Sequence, residues 1–301
     1  VTIDGRLNGV GSTRDLTITN TGGSTLDNAV TIRFNGNASN NTVKYCTIKG
    51  SGTAGFRGTI LFANATVTNG NSNNVVSNNL ITCADNAKRP VNSIYSDTGS
   101  GYSNANNSIL NNEFADFLSP TINSSAILLQ NTNTGWTIRG NSFYETTTFQ
   151  PSLDRNYSII RLSSSNGTGF VVSDNYIGGS SPFCGGNPWV KSNTKNNAFA
   201  GIDITVGGSP ASSVQNNTIK NISWENAGNA QWSGILVTGT SVNIGTETGN
   251  TIGAETGTGS LNIKSGAASN IYGISITDNG NVSCSNNKVG SITVANNGYA
   301  N

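Results

Sequence analysis

The sequence predicts an all-β chain wound as a single-stranded parallel β-helix, and three observations carry that prediction. The first is a phrase that returns about every 33 residues, the mark of a stacked-repeat solenoid. It reads SNNTVKYCTI to Ile48, NNVVSNNLI to Ile81, NNSILNNEF to Phe114 and GWTIRGNSF to Phe143. It continues as FVVSDNYI to Ile177, SSVQNNTI to Ile219, GTETGNTI to Ile252 and VSCSNNKV to Val289. The second is that apolar residues alternate with others at the strand period of two, and no window sustains a helical period. The third is that one residue type keeps one place. Two positions before each closing apolar residue stand Cys46, Asn79, Asn112, Asn141, Asn175, Asn217, Asn250 and Asn287.

Each repeat holds three short strand candidates. The first is marked by Val43, Val76, Ile109, Ile138, Val172 and Val214, with Cys284 in the last copy. The second ends each phrase, directly after the asparagine. The third lies ahead of the next phrase: Ala29–Phe34, Thr59–Phe62, Ser93–Ser96, Ala126–Leu129, Ile159–Leu162, Gly201–Ile204, Gly234–Val237 and Gly273–Ile276. Between them run turns of Asn, Gly and Ser, which tolerate left-handed or tight backbone. Equivalent residues then stack about 4.8 Å apart. An inward asparagine at a bend can donate to and accept from its neighbours above and below, so the seven asparagines from Asn79 to Asn287 are expected to form a buried ladder. The alternative for that column is a ligand-binding ladder.

At one coil per repeat, 301 residues make roughly nine coils. No linker or composition shift divides residues 1–301, so one domain is expected. The 34 % hydrophobic content suits a narrow solenoid, which needs only one or two inward residues per strand. Charged residues are 10 % and nearly balanced at +1, which excludes the basic face that nucleic acid requires. No apolar run is long enough to span a membrane. The chain has no Met and opens on VTIDG, so it is expected to be a processed product or an excerpt of a longer chain. No cap helix is legible at either end. Further coils or a cap outside this stretch are one reading, and end-to-end stacking into a filament is the other. The Asn, Thr, Ser and Gly bias points to an extracellular or cell-surface protein. Of the four cysteines, Cys46 and Cys284 occupy inward columns and are expected as buried fillers. Cys83 follows a strand and Cys184 sits in SPFCGGNP. Two disulfides could form from four cysteines, with connectivity open.

The asparagine-ladder phrase resembles the right-handed parallel β-helix repeats of the pectin-lyase-like superfamily, over nearly the whole chain. The opening VTIDGRLNGVGSTRDLTITNTG, followed by NNTVKYCTIKGS, is similar to repeat domains of large secreted surface proteins of the Bacteroidetes. The first resemblance implies an outward sheet face that handles acidic polysaccharide. Its polygalacturonase-like branch implies clustered Asp, a Gly-His-Gly and an Arg-x-Lys. This chain has no histidine, no Asp-Asp pair and no Arg-x-Lys. The lyase-like branch implies an arginine or lysine base with acids holding calcium. Calcium takes six to eight oxygen ligands, and the 15 acidic residues here are scattered singly. No cofactor is therefore expected; calcium stays open as a ligand, without an acidic cluster to support it.

One outward column stands out: Arg33, Leu61, Tyr95, Leu128, Arg161, Asp203, Leu236 and Ser275. Arg161 and Asp203 fall on successive coils. If the chain is an enzyme they are the base and its orienting acid. Otherwise they are a surface ion pair worth at most about 1 kcal/mol. The leucines of that column suggest a face partly covered by loops. Tyr95, Trp136, Trp189 and Lys191 are candidates for ligand contact. Aromatic rings stack on sugars, and Trp189 with Lys191 lies in the longest interval, Ile177 to Ile219, read as a large loop. The alternative is that these rings fold back over a sheet. An ice-binding surface needs a flat array of outward Thr, whereas these columns are mixed and the coils vary from 29 to 42 residues. The expected function is a non-catalytic structural or adhesive segment of a secreted protein. Its expected partners are a surface or matrix polysaccharide and neighbouring β-helix coils. The alternative is a polysaccharide-active enzyme or a carbohydrate-binding module.

Overall fold

A computed structural model of the chain describes residues 1–22, 29–65, 70–99, 102–192, 195–277, 280–296 and 299–300. The fold is a parallel β-helix. Three nine-stranded sheets take one strand from each coil, and a fourth sheet of four strands joins them along the later coils. The first sheet runs from Thr2–Asp4 to Asn281–Cys284, the second from Leu16–Thr19 to Lys288–Gly290, and the third from Ile32–Phe34 to Tyr299–Ala300. Inward residues stack in register. In the first sheet these are Val43, Val76, Ile109, Ile138, Val172, Val214, Ile244 and Cys284. Ile244 holds the seventh place because the turn that follows it is longer than in the other coils.

The recurring Asn-Asn of the phrase has a backbone cause. Between the first and second sheets one residue adopts left-handed geometry: Tyr45, Asn78, Asn111, Gly140, Asp174, Asn216 and Asn286, with φ between 51° and 70°. Only Gly, Asn and Asp visit that region readily. The first residue of each pair therefore makes the corner, and the second turns inward. Each inward asparagine accepts, on Oδ1, the backbone N–H of the residue one coil earlier and, from Asn112 onward, that residue's Nδ2–H as well. These bonds are 2.8–3.1 Å and run unbroken from Cys46 to Asn287. The second Nδ2–H donates to the first sheet, as Asn141 does to the Ile109 carbonyl at 2.9 Å. All four bonding sites of the amide are thus used.

The same device recurs ahead of the first sheet. Asn40, Asn73 and Asn106 are left-handed and precede a second ladder, Asn41–Asn74–Asn107. Gly135 and Gly169 continue the corner, and there Trp136 and Phe170 turn inward instead. A third, shorter stack joins Asn71 to Asn104.

The interval from Ile177 to Ile219 is not a simple loop. It contains the strand Trp189–Lys191, which opens the fourth sheet and pairs with Ile222–Asn226, then Leu261–Ser265, then Ile292–Asn296. This extra side widens the interior, and large rings fill it. Phe199 stacks on Trp232 at 5.4 Å and lies 4.8 Å from Trp224, while Trp189 meets Phe117 and Phe199 edge-on. All four cysteines are free thiols. Cys46 is buried as expected, but Cys284 is exposed, because its strand is the last of the first sheet and no described residue covers it.

Candidate functional site

The outward column of the third sheet keeps strict register from Arg33 through Leu61, Tyr95, Leu128, Arg161, Asp203 and Leu236 to Ser275. The pleat sets this, because the flanking isoleucines, from Ile60 to Ile235, point into the core. Residues 51–59, which join the second sheet to the third, lie against the early part of this face. Asn92 Nδ2 holds that segment by the carbonyls of Gly55 and Arg57, at 3.2 and 2.9 Å. Leu61, Tyr95 and Leu128 form a small apolar cluster beneath, joined by Val30.

Three cavities follow the same face. One of about 350 Å³ is lined by Arg33, Arg57, Asn64, Tyr95 and Asp97. The next, about 260 Å³, is lined by Phe56, Ser125, Gln130, Asn156, Ser158 and Arg161. The last, about 250 Å³, is lined by Asn156, Ser158, Arg161, Asp203, Gln231 and Leu236. The second and third share Asn156, Ser158 and Arg161, so they form one groove with Arg161 at its waist. Phe56 stands on the wall with 66 % of its surface exposed.

Arg161 and Asp203 meet as expected, Nε to Oδ2 at 3.4 Å. Ser158 Oγ donates to the same oxygen at 2.9 Å. Burial pushes the Asp203 carboxyl up, opposed by the Arg161 charge and the Ser158 hydroxyl. Among the described residues the terminal nitrogens of Arg161 have no ion-pair or hydrogen-bond partner, and Arg161 lines both cavities. A planar fork of donors, several amides and hydroxyls, and one exposed ring suit the polar edges and apolar faces of sugars. Among the described residues no group of three or more His, Cys, Asp and Glu side chains could hold a metal ion.

The other candidates lie elsewhere. Tyr95 lines a cavity but is 1 % exposed, and its hydroxyl is engaged by Asp97 at 3.0 Å and Gln130 at 2.8 Å. It supports the floor and offers no open face. Trp136 is fully buried, edge-on to Phe62, with Nε1 donating to the Asn104 carbonyl at 2.7 Å. Trp189 and Lys191 are also interior, because their segment is a strand whose alternate residues face the core. Placing these three on a ligand surface is therefore corrected by their burial. Phe56, the exposed ring that does face the groove, sits in Gly55-Phe56-Arg57-Gly58, outside every repeat column. An aromatic residue in a glycine-flanked turn was the one signal that could have found it. No family model, no curated protein and no solved structure matches the chain. No helix among the described residues is long and apolar enough to cross a membrane.

Proposed function

We propose that this chain is a non-catalytic, extracellular segment of a secreted or cell-surface protein, stiff in build and adhesive in role. The outer face of its third sheet docks an extended oligosaccharide of a surface or matrix polysaccharide. The observation that carries this reading is the alignment of three cavities along one face, with exposed Phe56 and the open side of Arg161 at one groove. Continuous ladders support the mechanical part, since nine rungs at about 4.8 Å make a rod of roughly 43 Å. The Arg161–Asp203 contact favours recognition over catalysis. A carboxylate beside a guanidinium stabilises the charged, non-basic form, and no second acid is among the residues that line the groove with Asp203.

The test is calorimetric binding of a panel of soluble neutral and acidic oligosaccharides, with product release followed in parallel. Binding without release of reducing ends or unsaturated products is expected. Phe56→Ala should weaken it about 5- to 10-fold, the loss of one stacking contact of about 1 kcal/mol. Arg161→Ala should weaken it at least as much. Turnover that disappears in Arg161→Ala would make the protein a lyase or hydrolase instead. Absence of binding across the panel would remove the docking role.

A further inference from the structure

Lys191 ends the first strand of the fourth sheet with its side chain inside the coil, 1 % exposed. Its ammonium lies 5.7 Å from the centre of the Trp224 ring. Nζ donates to the Lys195 carbonyl at 2.7 Å, to the Glu225 carbonyl, and to Asn226 Oδ1 at 3.1 Å. Asn226 is also buried, on the neighbouring strand. Its Oδ1 accepts the Asn197 backbone N–H as well, at 3.0 Å, whereas among the described residues its Nδ2 has only a long contact of 3.4 Å to the Ala230 carbonyl. A buried amine is thus held against a buried carboxamide whose carbonyl is polarised by the Asn197 N–H and whose amide nitrogen is loosely tied.

We propose that Lys191 and Asn226 join in an intramolecular amide cross-link formed within the folded protein. The free amine of Lys191 attacks Asn226 Cγ. A Cγ–Nζ bond forms, and the carbonyl π pair moves onto Oδ1, where the Asn197 N–H stabilises it. The pair then returns, the Cγ–Nδ2 bond breaks, and Nδ2 departs with a proton taken from Nζ. Summed from the charged lysine, one ammonium and one carboxamide become one secondary amide and one ammonium ion. No oxidant or co-reactant is needed.

Burial pushes the Lys191 amine down to about 8, against the charges of Glu225 and Asp154, so part of it is unprotonated near neutral pH. Those two carboxylates are engaged with Lys264 and with the Asn196 N–H, and neither hydrogen-bonds to the pair. Proximity in a water-excluding interior drives the step, so the bond accumulates slowly. The product joins two coils across a span of 35 residues, where the fourth sheet begins.

The full chain should be incubated at pH 7 and pH 9 and its intact mass followed, with peptide mapping of the product. The expected result is a species one ammonia lighter than the sequence mass and a branched peptide joining the segments of Lys191 and Asn226. It should form about tenfold faster at pH 9, following the unprotonated fraction. Lys191→Met and Asn226→Ala should keep the full mass. Succinimide formation at any of the six Asn-Gly pairs, which begin at Asn8, Asn35, Asn69, Asn166, Asn279 and Asn297, also expels ammonia. A loss that maps to those pairs, or persists in Lys191→Met, overturns the proposal. So does an unchanged wild-type mass at pH 9, whatever the variants do.

Discussion

Replacing Asn141 by leucine is expected to lower the unfolding free energy by about 3–5 kcal/mol, read as a shift of the urea midpoint. Asn141 is fully buried at the middle of the first ladder. Its Oδ1 accepts the backbone N–H and the Nδ2–H of Asn112, at 2.9 and 3.1 Å. Its Nδ2 donates to the Ile109 carbonyl and to Asn175 Oδ1, at 2.9 and 3.0 Å. Leucine fills a similar volume, so the loss is almost wholly polar. Two donors of Asn112 are orphaned, and the Ile109 carbonyl and Asn175 Oδ1 each lose a partner, at about 1–3 kcal/mol for each buried group left unmade. Water cannot reach the site to replace them. Two controls separate this from a general asparagine effect. Asn287→Ala, at the half-buried last rung, should cost only about 1 kcal/mol, because solvent can take over. Asn216→Gly, at the left-handed corner beside Asn217, should be nearly neutral, because glycine adopts that geometry freely. An Asn141→Leu variant within 1 kcal/mol of wild type would mean that the ladder adds little to stability.

Removing Arg89 is the second large effect. Arg89 is 5 % exposed and is held by three acceptors. Nη1 donates to Glu145 Oε2, Nη2 lies 3.5 Å from Asp116 Oδ1, and Nε donates to Asn86 Oδ1 at 2.7 Å. Glu145 is buried, and its Oε1 has no protein partner among the described residues. Arg89→Met should cost about 3–5 kcal/mol above pH 8, where Glu145 is ionised, the usual result of stripping one partner from a buried ion pair. Arg89→Met with Glu145→Leu should recover much of that loss, and a double-mutant cycle measures the coupling.

The pH dependence has a definite sign. Burial pushes the Glu145 carboxyl up to about 8, against the pull of Arg89. The folded state therefore binds more protons than the unfolded state between the ordinary carboxylate value of 4.5 and about 8. Stability from this group is complete below that window and is lost as pH rises through it, on the order of 3–5 kcal/mol. The urea midpoint of wild type should fall between pH 5 and pH 8, and Glu145→Gln should flatten the profile. A midpoint that rises across this range would show that Arg89 keeps Glu145 ionised in the folded state.

The backbone architecture was legible because a solenoid repeats its local chemistry. The period, the inward apolar residues and the Asn79–Asn287 column each recur at fixed spacing, and stacking at one rung distance leaves few other ways to satisfy them. The register of Arg161 on Asp203 followed from the same periodicity. The second ladder, Asn41–Asn74–Asn107, is not readable from the sequence as buried, because the same place in later coils is held by Trp136, Phe170 and Ser212. The fourth sheet was missed for a related reason. Trp189–Lys191 is a three-residue strand that starts partway along the molecule, so no earlier repeat announces it.

The sequence alone determined the winding of the chain, since periodicity and turn geometry are local properties repeated until they become global. Only the tertiary structure decided which side chains meet solvent. A strand shows that Trp189 and Lys191 share a face with each other, but not whether that face looks in or out. The choice depended on a fourth sheet that widened the coil and made an interior large enough for both. The same holds for the groove. Its floor comes from a repeated column, whereas Phe56 on its wall comes from a connecting turn that belongs to no repeat, and only the packing of residues 51–59 against the third sheet brings the two together.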